Sequence, residues 1–127
     1  MNTPRNPGVV HAPVGRYVHQ IEVTNPTRLL FISGQVGMEA DGSIPEDPVD
    51  QLGVALENVV RNLGAAGMGV DSLTKVTIYV VGEMDRDRRR REIDQHLGEH
   101  VSCSTLVYVS ALASPEYKVE VDAWAAA

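Results

Sequence analysis

Four stretches of this 127-residue chain carry side chains that could do chemistry. The first is Ser102-Cys103-Ser104, which opens a β-branched and aromatic run. Cys103 is the only cysteine; as a thiolate it would be a nucleophile, with His100 or His19 as its base. A lone cysteine is more often a small buried hydrophobe. The second stretch runs from Leu30 to Gly37. Ser33 closes an apolar segment there, and Gly34 and Gln35 follow, setting a hydroxyl and bare backbone amides where a small anion could dock. The plain alternative is a β-bulge whose serine is satisfied locally. The third is Glu120, between Val119 and Val121. Exposed on a sheet it would be ordinary. Covered by another subunit it would have a raised pKa and could position or activate water.

The fourth stretch spans residues 85–100. Arg88-Arg89-Arg90-Arg91 could bind phosphate, but Asp85, Asp87, Glu92 and Asp94 stand three and four residues away, where they cancel a helix face's charge. His96-Leu97-Gly98-Glu99-His100 has the spacing of an inverted zinc-peptidase helix. Gly98 weakens that helix at its centre and no third histidine follows, so the expected reading is a fraying helix end without metal.

Secondary structure has to hold these groups. Residues 1–14, with three of the seven prolines, read as an extended arm. Gly15 to Val23 predicts a strand with Tyr17, His19, Ile21 and Val23 on one face. Asn25-Pro26-Thr27 supplies turn chemistry, and Leu29 to Ser33 a second strand, so the pair reads as a hairpin. Gly34 and Gly37 predict a bend or bulge beyond it. Asp47 and Pro48 open a helix whose Leu52, Leu56, Val59 and Leu63 keep helical spacing until Gly64 and Gly67. Asn58 and Asn62 flank that stripe as partners for backbone. Thr74 to Val81 is the strongest strand signal, and Asp85 to about His100 a second helix with a thin apolar stripe at Ile93 and Leu97. Ser102 to Leu112 is a strand in which Thr105, Val107 and Val109 alternate with Ser104, Leu106 and Tyr108. Lys118 to Trp124 closes the chain, with Glu120, Asp122 and Trp124 facing away from Val119, Val121 and Ala123.

The order ββ(β)αβαββ predicts one domain over 1–127: an α+β two-layer sandwich with two helices on one face of a mixed six-stranded sheet. The face away from the helices would carry Tyr17, Ser104, Glu120 and Ser33 among Ile21, Leu106 and Trp124. So much apolar area implies a partner subunit, and a homo-oligomer is the economical answer. A net charge of -6 argues against nucleic acid and anionic membrane. No apolar run approaches the ~20 residues that span a bilayer. With a single cysteine and no apolar leader, a reducing cytoplasm is the expected compartment.

Taken together, these pieces resemble the Rid superfamily, or YjgF-like proteins. The matching residues are Gly15-Arg16-Tyr17, Phe31-Ile32-Ser33-Gly34-Gln35-Val36, Asp41-Gly42, Gln51 with Leu56-Glu57-Asn58, Ala66-Gly67, Lys75 to Val80, Ser104 to Val107, and Val119-Glu120-Val121 with Ala123 and Ala125. The resemblance implies a chorismate-mutase-like subunit in a homotrimer, small-molecule sites between subunits, no cofactor, and hydrolysis of reactive imines and enamines to ammonia and a carbonyl product. It implies site roles for Tyr17, Ser33 and Glu120, with Gly34, Gln35, Cys103 and Ser104 lining the pocket. The family grips its substrate carboxylate with an arginine from a Pro-Ala-Arg-Ser motif. Counting back from Leu112, that position is Ser104, preceded by Ser102-Cys103. A hydroxyl cannot replace a bidentate guanidinium, whose loss costs about 2–5 kcal/mol of binding. Arg16 or an arginine of another subunit is the alternative source of charge. The chain thus resembles an arginine-lacking subgroup. Two functions follow from the resemblance: hydrolysis of an imine of non-archetypal type, or ligand binding by a non-catalytic regulatory trimer.

Overall fold

Asp47 starts the longer helix. Its carboxylate accepts the backbone N–H groups of Val49 (2.8 Å) and Asp50 (3.2 Å), and Pro48 occupies the first turn, where its missing N–H costs nothing. In the computed structural model, which describes residues 1–127, this helix is α1 (Pro48–Ala65). It runs two residues past Leu63, and buries Val49, Leu52, Leu56, Val59 and Leu63. The second helix, α2 (Arg86–Leu97), is capped by Asp85, which accepts the N–H of Arg88 at 2.8 Å. It stops three residues short of His100, because Gly98 turns the backbone to φ +60°, a conformation that favours glycine. Leu97 is its one buried residue, in keeping with its thin stripe.

Six strands form, the expected number, with the first inside the stretch read as an arm: β1 (Asn2–Arg5), β2 (Gln20–Val23), β3 (Leu29–Val36), β4 (Leu73–Val81), β5 (Cys103–Val109) and β6 (Val119–Ala126). They do not share one sheet. β3, β6, β4 and β5 lie side by side in that order, β4 and β5 parallel and the other pairs antiparallel, while β1 and β2 form a separate antiparallel ribbon. The expected hairpin between β2 and β3 is therefore absent. β2 is only four residues of alternating exposed and half-buried side chains, suited to an edge. Its partner is the arm, where Pro4 is tolerated because an edge strand need not donate every N–H. β3 instead pairs with β6, whose Val119, Val121, Ala123 and Ala125 are all buried. The strand forecast from Gly15 starts only at Gln20, and β5 ends at Val109 rather than Leu112.

The architecture is otherwise the expected α+β one, two helices with mixed sheets. α1 packs on β3 and β6 and against α2, and one hydrophobic cluster joins them, with Leu56, Leu63, Val80 and Val121 among its fully buried members. Gln51 is buried with them and satisfied: its amide donates to the carbonyls of Pro45 (2.8 Å) and Glu116 (3.0 Å) and accepts the N–H of Lys118 (2.8 Å). Asn58 donates to the Met38 carbonyl and Asn62 to that of Asn58, the backbone-binding roles their positions suggest.

One orientation differs from expectation. β5 pairs with β4 so that Ser104 sits beside Val76 and Leu106 beside Ile78, on the helix side. Ser104 and Leu106 are therefore not on the outer face, and Cys103, Thr105 and Val107 are. Alternation separates the two faces of a strand without saying which is inward. Here half-buried Leu106 packs against the core and decides it. The outer face keeps Glu120, Asp122 and Trp124, and it is bare: Phe31 is 63% exposed and Trp124 54%, their rings edge to face at 4.9 Å. No helix is long and apolar enough to cross a membrane.

Candidate functional site

Two groupings of side chains stand out, at different places on the sheet. The first lies where α2 stops covering β4 and β5. A cleft of about 740 Å³ opens there, lined by Tyr17, Ser104, Ile78, Leu106 and Ile93 together with four arginines. Tyr17 reaches it from the irregular loop before β2. That loop is pinned to the start of β5 by the Val18 N–H, which donates to the Ser102 carbonyl at 3.2 Å. Asn6 holds its far end through the N–H of His19 (2.8 Å). The Tyr17 ring meets His19 edge to face at 5.4 Å, and its hydroxyl accepts the N–H of Val14 at 3.2 Å.

Arg16 is the best-anchored cation of the cleft. Its side chain is 11% exposed, its Nε lies 2.8 Å from Asp94, and a terminal nitrogen donates to the Gly98 carbonyl at the end of α2. A guanidinium at a helix C-terminus is favourable on dipole grounds, so Arg16 is committed to structure. The arginines of α2 divide by helical position. Arg88 turns to α1 and holds Asp47 bidentately at 3.0 and 3.2 Å, and its guanidinium keeps the Asp47 carboxyl below its usual range. Arg86, Arg89 and Arg90, at the i, i+3, i+4 positions of one face, line the cleft. Arg90 pairs with Asp94 at 3.2 Å. The local cancellation expected for the arginine run is thus met only at Arg90; Arg88 pairs with the other helix.

The second grouping is on β3 and β6. The ladder slips between Ile32 and Gln35, so that Ser33 and Gly34 bulge out opposite β6. The Glu120 carboxylate lies directly over that bulge: a Cβ on Gly34 would come within 2.6 Å of Glu120 Cδ and 2.8 Å of Oε2. Only glycine leaves room for the carboxylate there. Gln35 donates back to the Ser33 carbonyl at 2.9 Å, which closes the bulge on itself. Beside Glu120 on the outer face, the Tyr79 hydroxyl donates to Asp122 at 3.0 Å. That hydrogen bond, with burial second, holds the Tyr79 hydroxyl above its usual value.

Of the site residues expected from sequence, one protomer therefore brings together Ser33, Gly34, Gln35 and Glu120 in one place, and Tyr17 and Ser104 in another. β6 and β5 are two ladder steps apart, roughly 10 Å at ~4.8 Å a step, and Glu120 and Ser104 point to opposite faces. Cys103 is half-buried on the outer face beside Lys75, away from the Ser104 cleft. Its two potential bases are engaged elsewhere: a ring nitrogen of His100 meets the Leu73 carbonyl at 2.9 Å, and one of His19 the His11 carbonyl at 2.6 Å. His96 and His100 do not share a helix face, since α2 ends between them. Of the cleft-facing arginines, sequence reasoning weighed Arg89 and Arg90 only within a self-cancelling run and Arg16 as a substitute charge, and it missed Arg86, although the i, i+3, i+4 spacing of Arg86, Arg89 and Arg90 is visible there.

The family model described as Endoribonuclease L-PSP matches residues 9–127. TdcF of Escherichia coli strain K12, named as a reactive intermediate deaminase, is 30% identical over 127 residues, 97% of this chain and 92% of TdcF. A RutC family protein of Pyrococcus horikoshii is 30% identical over 113 residues, 87% of this chain and 86% of its own. Among solved structures, the Rid-family protein YyfB from Yersinia pestis has a TM-score of 0.86 at 25% identity, covering 99% of this chain and 98% of its own. TdcF with bound serine has a TM-score of 0.69 at 28% identity, over 98% and 95% of the two chains. Family model, relatives and fold agree: this chain belongs to the Endoribonuclease L-PSP family, the Rid or YjgF-like proteins.

Proposed function

We propose that this protein is a homotrimer whose inter-subunit clefts bind a small imine or enamine and hydrolyse it, with the whole chain as one functional domain. The observation that carries this reading is the Glu120 carboxylate seated on the Ser33–Gly34 bulge. It is a hydrogen-bond acceptor seated on a backbone bulge, at the edge of an exposed apolar sheet face. A second subunit against that face would cover Phe31 and Trp124 and supply the Tyr17 and Ser104 that the first protomer keeps on the other side of its sheet. TdcF's name as a deaminase supports the same direction.

In the reaction, Glu120 accepts a proton from water as the water oxygen bonds to the carbon of C=N. The C=N π electrons move to nitrogen, which takes up a proton. The carbinolamine then collapses: its hydroxyl becomes the carbonyl, the C–N bond breaks, and ammonia leaves with the remaining proton. Tyr17, Ser33 and Ser104 hydrogen-bond and orient the substrate. The Gly34 and Gln35 amides stabilise developing negative charge, and Cys103 contributes a contact rather than a nucleophile.

Ammonia release from imines generated in situ tests this. Wild type should turn over at least one imine of the panel, and Glu120→Gln should lose on the order of a hundredfold or more in rate, as for removal of a general base. Equal rates for the two would end the hydrolysis reading. The serine bound to TdcF favours a second one, a cleft that binds a small ligand without consuming it. Saturable binding with no turnover by wild type would select it.

A further inference from the structure

We propose that Arg86 and Arg89 of α2 form an anion anchor for the cleft, gripping a carboxylate-bearing ligand from the side opposite Ser104. In a chain of net charge -6, the cleft concentrates Arg16, Arg86, Arg89 and Arg90. Two of these charges are already used, since Arg16 and Arg90 share the carboxylate of Asp94 at 2.8 and 3.2 Å. Arg86 and Arg89 have no carboxylate within 4.0 Å; the one polar partner of Arg89 is the Tyr108 hydroxyl, at 3.2 Å.

The acidic groups that also line the cleft, Asp85 and Asp87, belong to the same end of α2. Asp85 caps the helix, its carboxylate accepting the Arg88 N–H at 2.8 Å, and neither it nor Asp87 pairs with an arginine; four arginines against Asp85, Asp87 and the shared Asp94 still leave the cleft net positive. Arg86, exposed, and Arg89, half-buried, therefore line an open cleft whose apolar members include Ile78, Leu106 and Ile93. An anion bound there gains charge-assisted hydrogen bonds and the positive end of the α2 dipole. Ser104 is small and leaves the space that a longer side chain on β5 would fill. The charge comes instead from the helix above it.

The anchor rests on the cleft reading for the kind of ligand it holds, but it is measured independently of turnover. Calorimetric titration with pyruvate, and with pyruvamide as its neutral analogue, compares wild type, Arg86→Gln/Arg89→Gln and Arg91→Gln. Arg91 is exposed and outside the cleft, so its variant carries part of the same charge change without touching the site. Wild type should bind pyruvate more tightly than pyruvamide. The double variant should weaken pyruvate by about tenfold or more, the scale of a lost charge-assisted pair, and leave pyruvamide and the melting temperature unchanged. Arg91→Gln should match wild type.

Equal affinity of wild type for the two ligands overturns the anchor, as does a loss in Arg91→Gln as large as in the double variant. Ammonia release separates this from the hydrolysis proposal. Arginine-dependent pyruvate binding in a protein that hydrolyses no imine keeps the anchor and ends the hydrolysis reading. Hydrolysis of a carboxylate-bearing imine at equal KM in wild type and double variant does the reverse.

Discussion

The bulge on β3 and the cleft under α2 are built by different means. At the bulge, backbone does the positioning: an extra residue in the ladder, a glycine with no Cβ, and a carboxylate laid across it. At the cleft, long side chains and an irregular loop do it, with Tyr17 on a loop held by the Val18–Ser102 and His19–Asn6 hydrogen bonds and the arginines reaching down from a helix with one buried residue. A group fixed by sheet backbone has few alternative positions, which suits proton transfer. Groups on long stems can change identity or origin without disturbing the fold. On this contrast, substitutions on the cleft side should alter what is bound, while substitutions at the bulge should alter the position of Glu120 itself.

If the two regions are halves of one site, separating the subunits must abolish it. Trp124→Asp places a charge in the middle of the outer sheet face, beside Phe31. Trp124 is 54% exposed in the protomer, so the substitution leaves the core intact. Sedimentation should report three protomer masses for wild type and one for the variant, with a folded circular dichroism spectrum and all turnover lost. A variant that remains trimeric would show that the outer face is not the interface.

A smaller effect is expected from Gly34→Ala. The added methyl would overlap the Glu120 carboxyl group, which must swing aside by more than the few tenths of an ångström a contact can absorb. Because that carboxyl is the far end of a flexible side chain, the fold tolerates the change. Turnover should fall on the order of tenfold while the trimer and ligand affinity at the α2 arginines persist, since a misplaced base loses rate before binding. A variant as active as wild type would mean that the carboxylate's seat on the bulge is irrelevant to the chemistry.

The same contrast governs what the sequence reveals. The bulge half is local: Ser33-Gly34 in an apolar strand and Glu120 between two valines can be read within a few residues. So can α1, from Asp47-Pro48 and its leucines, and β4, from Val76, Ile78 and Val80. Strand partners are a tertiary choice. Nothing within Gln20–Val23 says that it pairs with the proline-bearing arm rather than with β3. The facing of β5 is hidden for a related reason, because Ser104, Leu106 and Tyr108 could be either face until the position of α2 is known. In the arginine run, spacing shows which pairs are possible within a helix, but Arg88 finds Asp47 on the other helix, and the remaining arginines point where α2's rotation sends them.

The smallest effect probes the rigidity claimed for the bulge side. Tyr79 stands next to Glu120 across the β4–β6 ladder and donates its hydroxyl proton to Asp122 at 3.0 Å. This hydrogen bond is made by the neutral phenol, and ionisation would set a phenolate against a carboxylate, so the folded pKa lies above the ordinary 10.0. With the folded value raised, the stabilisation is fully present below pH 10.0 and is lost as pH rises through the folded pKa. The Tyr79 ring resonance, assigned by comparison with Tyr79→Phe, should titrate above the ordinary 10.0. Asp122→Asn should bring it back toward the ordinary value, and the stability gap between wild type and Tyr79→Phe should close only in strong alkali. If the Tyr79 titration is the same with aspartate or asparagine at position 122, the outer face is mobile around Glu120. The bulge half would then owe no more to backbone than the cleft does.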